Sequence, residues 1–314
     1  MYFPVSQELL QSNEILDFDV YLFLGNQYVL YAKKNQRYSS KLKEKLKYKD
    51  IETIYVLSSQ RPDFENYVER NFAKILDDPD ASAESKAEVF HETTLNHVKG
   101  YFQQADPQLS EKIVNQFEEL VRSSAEFLSQ DEAIRNIGKL MSHDYKTYSH
   151  CMHVYILTLA MMNKYEYSEE DKVCTGIGAI LHDLGKLKIP STILNKPGKL
   201  NKEEWDYIKL HPVMGVGCCT SVQLSQLTLN PILFHHEKCD GNGYPVGLKQ
   251  RDIPSPVRIL TICDIFDAIT SNRPYAGRQK PIIALRIMKE EMSQSLDETI
   301  FQDFIHLLEE TSLV

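Results

Sequence analysis

From Asp144 to Val314 apolar residues recur at helical spacing, and the pattern breaks at KPGKL (196–200) and CDGNGYPVG (239–247), where glycine and proline intervene. A region of that length read as helix after helix predicts an all-helical domain. Long amphipathic patterns from Lys86 to about Leu140 precede it and read as a helical connector. Before them, DDPDASAES (77–85) is rich in turn and cap residues and marks a change of character. Upstream of that change, ILDFDVYLFLGNQYVLYA (15–32) holds two β-rich runs around Gly25-Asn26, a dipeptide suited to a tight hairpin. SSKLKEKLKYKD (39–50) reads as a short exposed helix and IETIYVLS (51–58) as a further strand. The expected fold is mainly α: a small α/β domain at 1–78, the connector at 79–138 and a helical domain at 139–314.

The charge narrows the class of partner. With a net charge of -9 the chain lacks the basic stripe that holds a nucleic acid polymer, so an anionic ligand has to be caught by local groups. The first 19 residues show no basic stretch followed by an apolar one, and no apolar run reaches the roughly 18–20 residues that span a bilayer, so the chain is expected in the cytoplasm and off the membrane. The six cysteines stand at irregular spacings without a CxxC pair, which suggests neither a disulfide framework nor a thiolate zinc site.

Five histidines and two aspartates fall within or at the edge of helical segments: His150, His182, Asp183, His211, His235, His236 and Asp264. Imidazole nitrogen with carboxylate oxygen suits iron, manganese or zinc better than calcium, which prefers oxygen, or copper(I), which prefers sulfur. A carboxylate can also join two cations, which a neutral imidazole cannot, and Asp183 beside His182 is the candidate bridge. Spacing alone leaves open whether each histidine is a ligand or a packed side chain.

HDLGKLKIP (182–190), ILNKPGKL (193–200), HPVMGVG (211–217), HHEKCDGNGYPVGL (235–248) and CDIFDAITSNRPY (263–275) together resemble the successive motifs of the HD-GYP phosphodiesterases, in order and over about residues 140–314. The resemblance implies the all-helical catalytic domain of the HD superfamily. It implies a dinuclear centre of two divalent cations, iron first and manganese or zinc as alternatives, with a hydroxide between them. One metal would take His150, His182, Asp183 and Asp264; the other His211, His235 and His236, with Asp183 bridging. Lys186 matches the lysine beside the scissile phosphate, with a catalytic and substrate-binding role, and Arg273 one that reaches the substrate phosphate. Tyr244, in the GYP loop, could stack, hydrogen-bond or meet a partner, or simply pack in a turn. The implied reaction opens a cyclic dinucleotide, cyclic di-GMP above all, to pGpG or on to GMP. A GGDEF-type protein at the GYP loop and a second copy of the chain are the implied protein partners.

Three departures qualify the expectation. Lys146 stands where trinuclear members of the family carry a glutamate, and a charged ammonium cannot coordinate a cation, which points to two metals and not three. Ala276 replaces a common basic residue, and His153 a common arginine, three residues from His150 and within reach of a metal by spacing. His91, His97, His143 and His306 match no motif and read as structural or exposed. The rival functions are a catalytically weak cyclic di-GMP receptor or interaction module acting through the GYP loop, and an HD-type hydrolase of a nucleoside polyphosphate. The N-terminal region reads as a regulatory or dimerising module.

Overall fold

The computed structural model describes residues 1–104, 106–141, 146–271 and 279–314. They divide into two compact units, Met1–Thr93 and Thr94–Val314.

The first unit contains strands β1 (Tyr2–Ser6), β2 (Val20–Leu24), β3 (Gln27–Ala32) and β4 (Thr53–Leu57) and helices α1 (Ser40–Tyr48), α2 (Arg61–Arg70) and α3 (Phe72–Asp77). The strands form one antiparallel sheet in the order β1-β4-β2-β3. Alternation sorts its faces: Val20, Leu22, Ile54 and Val56 are buried, while Tyr21, Phe23, Tyr28 and Tyr55 meet Tyr2 in an aromatic cluster on the opposite side. The β2–β3 hairpin turns at Gly25 and Asn26, both at positive φ (55° and 64°), as a two-residue turn of this hand demands. Strand β1 was not expected, because Pro4 interrupts its pattern. It lies at the sheet edge, where a missing N–H costs no ladder bond.

Helix α1 is less exposed than its lysine-rich sequence suggests, since Lys43 and Leu46 are buried. The Lys43 ammonium lies 2.7 Å from the Asp78 carboxylate, which also accepts from the Gln11 side-chain amide at 3.2 Å and the Asp80 backbone N–H at 2.9 Å.

Helix α4 (Ala83–Phe102) runs through the division between the units, and the second unit continues with α5 (Glu111–Ala125), α6 (Asp131–Leu140), α7 (Thr147–Met162) and α8 (Glu169–Leu181). After a short 3₁₀ turn at Leu184–Lys188 come α9 (Ser191–Leu194), α10 (Lys202–Ile208), α11 (His211–Cys218), α12 (Gln226–Phe234), α13 (Ser255–Thr270), α14 (Pro281–Glu291) and α15 (Glu298–Glu310). Every residue of α7 from Ser149 to Met162 is buried, as its nearly unbroken apolar sequence requires of a central helix. It packs against α8 and α13, and α12 lies across α8. A Cβ at Gly178 would approach the Thr228 carbonyl oxygen to 2.7 Å, so glycine is what lets α8 and α12 come this close. All six cysteines are free thiols. Among the described residues no helix is long and apolar enough to cross a membrane.

Candidate metal centre

The polar cluster grows from the end of α8. The helix stops at Leu181, His182 remains helical and Asp183 (φ -95°, ψ 8°) leaves it into the 3₁₀ turn. That turn sits on α11 through Gly185, where a Cβ would meet the His211 carbonyl oxygen at 1.9 Å and the Gly215 nitrogen at 2.6 Å. His211, the first residue of α11, is thereby brought to Asp183. His150 comes from α7, His235 and His236 from the end of α12, and Asp264 from α13.

The structure brings all seven candidate residues together, and Asp183 lies between two groups of them. Its Oδ2 is 3.7 Å from His150 Nε2 and 3.6 Å from His182 Nε2; its Oδ1 is 3.3 Å from His211 Nε2 and 3.8 Å from His235 Nε2. His150, His182 and Asp264 form one set of converging donor atoms, and Asp183, His211, His235 and His236 another.

Hydrogen bonds fix the histidine tautomers. The Nδ1 of His182 faces the Ala179 carbonyl at 2.8 Å, that of His211 the Ile208 carbonyl at 2.8 Å, and that of His235 the Pro231 and Ile232 carbonyls at 3.1 Å. A carbonyl only accepts, so each Nδ1 carries the proton and each neutral ring turns an Nε2 lone pair inward. His150 follows the same rule, with Nδ1 2.6 Å from Asp267 Oδ2.

The inward atoms do not satisfy one another. His211 Nε2 and His235 Nε2 lie 3.0 Å apart, two lone pairs face to face. His150 Nε2 and Asp264 Oδ1, also 3.0 Å apart, pair one acceptor with another. His182 Nε2 is buried and makes no hydrogen bond among the described residues. Cations placed between these atoms convert each repulsion into coordination, so the donor set fits divalent metals.

The ionisation states agree with that fit. Burial pushes His182 and His235 below the usual histidine range, so both rings are neutral. Burial alone would raise the carboxyls of Asp183 and Asp264. The Lys186 ammonium overrides it for Asp183, and both carboxyls lie below the usual carboxylate range. Asp267 is likewise held low against its burial by His153 and His150. Among the described residues three buried carboxylates stand with one nearby ammonium, that of Lys186, 2.5 Å from Asp183 Oδ2. The excess negative charge favours a cation.

Tyr244 stands against the cluster, its ring 4.7 Å from that of His236 and 6.4 Å from that of His211. The GYP loop is tied down by Glu237, a buried carboxylate that accepts from the backbone N–H groups of Val246, Gly247 and Leu248. Gly243 packs so closely on Glu237 and Lys238 that a Cβ would meet their backbone at 2.5 Å. Arg273, Ala276 and His143 lie outside the described residues. His91, His97 and His306 are no part of the cluster; His306 is exposed, 3.6 Å from Glu309.

Asp267, Glu237 and Cys151 were not read from the sequence. Asp267 could have been found by register, because it follows Asp264 by three residues as His153 follows His150, so both pairs repeat on one helix face. Glu237 stands inside HHEKCDGNGYP, but nothing in the sequence shows which amides it takes. Cys151 is buried within reach of His182 and Asp183, and burial lifts its thiol well above the usual range.

Residues 115–300 match the HD domain family. The chain is 36% identical to a cyclic di-GMP phosphodiesterase of Pseudomonas aeruginosa over 58% of its own length and 44% of the relative's. It is 34% identical to a 3'3'-cGAMP-specific phosphodiesterase of Vibrio cholerae (49% and 34% covered) and 32% identical to a cyclic di-GMP phosphodiesterase of Thermotoga maritima (61% and 54%). It thus spans about a third to a half of these curated relatives. An HDG"Y"P protein from Bdellovibrio bacteriovorus shares the fold at a TM-score of 0.67, with 18% identity, 98% of this chain and 100% of that one covered.

Proposed function

We propose, since this chain belongs to the HD domain family, that it is a metal-dependent phosphodiesterase that opens a cyclic dinucleotide. Cyclic di-GMP is the first candidate substrate, with pGpG or GMP as product, and 3'3'-cGAMP the second, as the names of the relatives suggest. The observation that carries the reading is Asp183, whose two carboxylate oxygens each face a separate group of inward imidazole nitrogens. His150, His182 and Asp264 would hold one cation, His211, His235 and His236 the other, and Asp183 both. Iron comes first, then manganese or zinc. Bound cations of this kind supply Lewis-acid charge stabilisation and lower the pKa of water to near neutrality.

The chain's own residues supply the rest. Lys186, with its side chain 14% exposed, holds an ammonium at the edge of the cluster where it can stabilise charge on a phosphoryl oxygen and donate a proton to the leaving oxygen. Arg273 is assigned to the substrate phosphate, which a guanidinium grips in bidentate fashion. Tyr244 forms one wall beside His236 for a base or ribose to rest against. The region at 1–78 is assigned a regulatory role. The chain is assigned to the cytoplasm, a reading supported by six free thiols, which fit a reducing compartment.

The test incubates the full chain, loaded with iron or manganese, with cyclic di-GMP and with 3'3'-cGAMP, resolves the products by chromatography and repeats the assay with Asp183→Ala. Linear or mononucleotide product from the wild type and none from the variant is expected. Metal-loaded protein that binds either dinucleotide without turnover would leave a receptor and sink the enzyme.

A further inference from the structure

The imidazole of His150 is bracketed by two carboxylates of α13 spaced three residues apart. Asp264 Oδ1 lies 3.0 Å from its Nε2 and Asp267 Oδ2 2.6 Å from its Nδ1. The other oxygen of Asp267, Oδ1, lies 2.8 Å from Nδ1 of His153, one turn along α7. Both rings and the carboxylate are buried, at 1%, 2% and 3% exposure, and the Ser271 hydroxyl closes the group at 3.3 Å from Asp267 Oδ2. Asp267 thus spends each oxygen on a different imidazole.

We propose that Asp267 is a positioning residue that fixes His150 as its Nδ1–H tautomer and aims its Nε2 into the centre, with His153 as the anchor that holds Asp267 in register. The proposal rests on the reading of the cluster as a metal centre. A carboxylate without a proton only accepts, so both imidazoles have to donate from Nδ1. The tautomer of a metal-binding histidine is set by the partner of its other nitrogen. At His182, His211 and His235 that partner is a backbone carbonyl, which no substitution removes. At His150 it is a side chain, so this is the one of the four inward rings whose tautomer hangs on another residue's identity. The same geometry assigns His153 away from the metals. Its Nδ1 is committed to Asp267, and His153 belongs to neither of the two donor sets around Asp183.

Asp267→Asn separates this role from simple packing. The carboxamide keeps the shape but offers one acceptor and one donor, so the two rings cannot both remain Nδ1–H. Long-range ¹H–¹⁵N spectra of the metal-free full chain are expected to show His150 and His153 as Nδ1–H tautomers in the wild type, with one of them reversed in D267N. In metal titrations with manganese, D267N is expected to lose about 10- to 100-fold in affinity for one of two equivalents, and to keep the other. His153→Gln, which retains an N–H donor for Asp267, is expected to preserve both equivalents. Wild-type affinity for both equivalents in D267N, or equal loss of both, overturns the proposal, and so does a wild-type His150 protonated at Nε2. The wild-type spectrum needs no variant and decides the matter even if D267N does not fold. A wild-type chain that takes up no metal overturns the proposed function instead, and leaves the tautomer measurement as the test of Asp267.

Discussion

Two groups of charges, one in each unit, reach opposite conclusions. Around Asp78 every acceptor meets a donor: the Lys43 ammonium, the Gln11 amide and the Asp80 N–H. Around Asp183 acceptor meets acceptor, with imidazole lone pairs facing each other and facing carboxylates. Asp78 is half-buried and Asp183 fully buried, yet the sharper difference lies in the partners each one meets. What separates a structural ion pair from a binding centre is whether the chain supplies its own counter-charge. The first balances with side chains, whereas among the described residues the second has one ammonium, that of Lys186, and leaves facing donor atoms for something from outside.

That contrast can be broken at either end. Asp183→Ala removes the carboxylate common to both groups, and kcat is expected to fall by about 10³-fold or more while metal content per chain drops; a variant that keeps both metals and activity undoes the contrast. Lys43→Ala does the reverse. It strands Asp78 without its cation, and urea denaturation should show a loss of about 1–3 kcal/mol, with metal content unchanged.

Finer tests sharpen the boundary. Lys186→Ala is expected to reduce kcat about 10²- to 10³-fold while both metals stay bound, since Lys186 donates and does not coordinate. A parallel loss of metal would show that its ammonium organises the site instead. The Asp78 pair also has a pH signature. Burial would raise the Asp78 carboxyl, but Lys43, the Asp80 N–H and Gln11 hold it below its usual value. A carboxyl lowered in the folded state stabilises above its unfolded pKa of about 3.9, and that stability is lost as pH falls through the lowered value. Wild-type stability should therefore drop more steeply below about pH 4 than that of K43A, as urea midpoints across acid pH would reveal. The smallest effect is a count: two metal equivalents per chain, with Lys146 excluding a third. Three at full occupancy in the purified protein would contradict it.

Much of the second unit was legible because its signals are local. Helices show in apolar spacing, and six of the seven polar residues show within motifs in sequence order, His150 standing ahead of them. The hairpin at Gly25-Asn26 was legible for the same reason, since its turn chemistry sits in two adjacent residues. Strand β1 was hidden because its pattern carries a proline that only an edge position tolerates, and edge position is a property of the finished sheet. Asp267 was hidden because its role depends on a ring brought from α7, 117 residues away in sequence. Glu237 was hidden because its partners are backbone amides, which every sequence contains and none advertises.

At Gly185 the loop carrying Asp183 and the first turn of α11 touch backbone to backbone, with no space for a single added carbon. Asp183 and His211 are therefore offered by one rigid piece, and their spacing is closed to gradual drift. A lineage descending from this chain can change which donor atoms it presents, ring for ring or carboxylate for thiol, but it cannot stretch the distance between these two without rebuilding the seam. Adaptation to a different cation has to proceed by exchange of chemistry at fixed geometry.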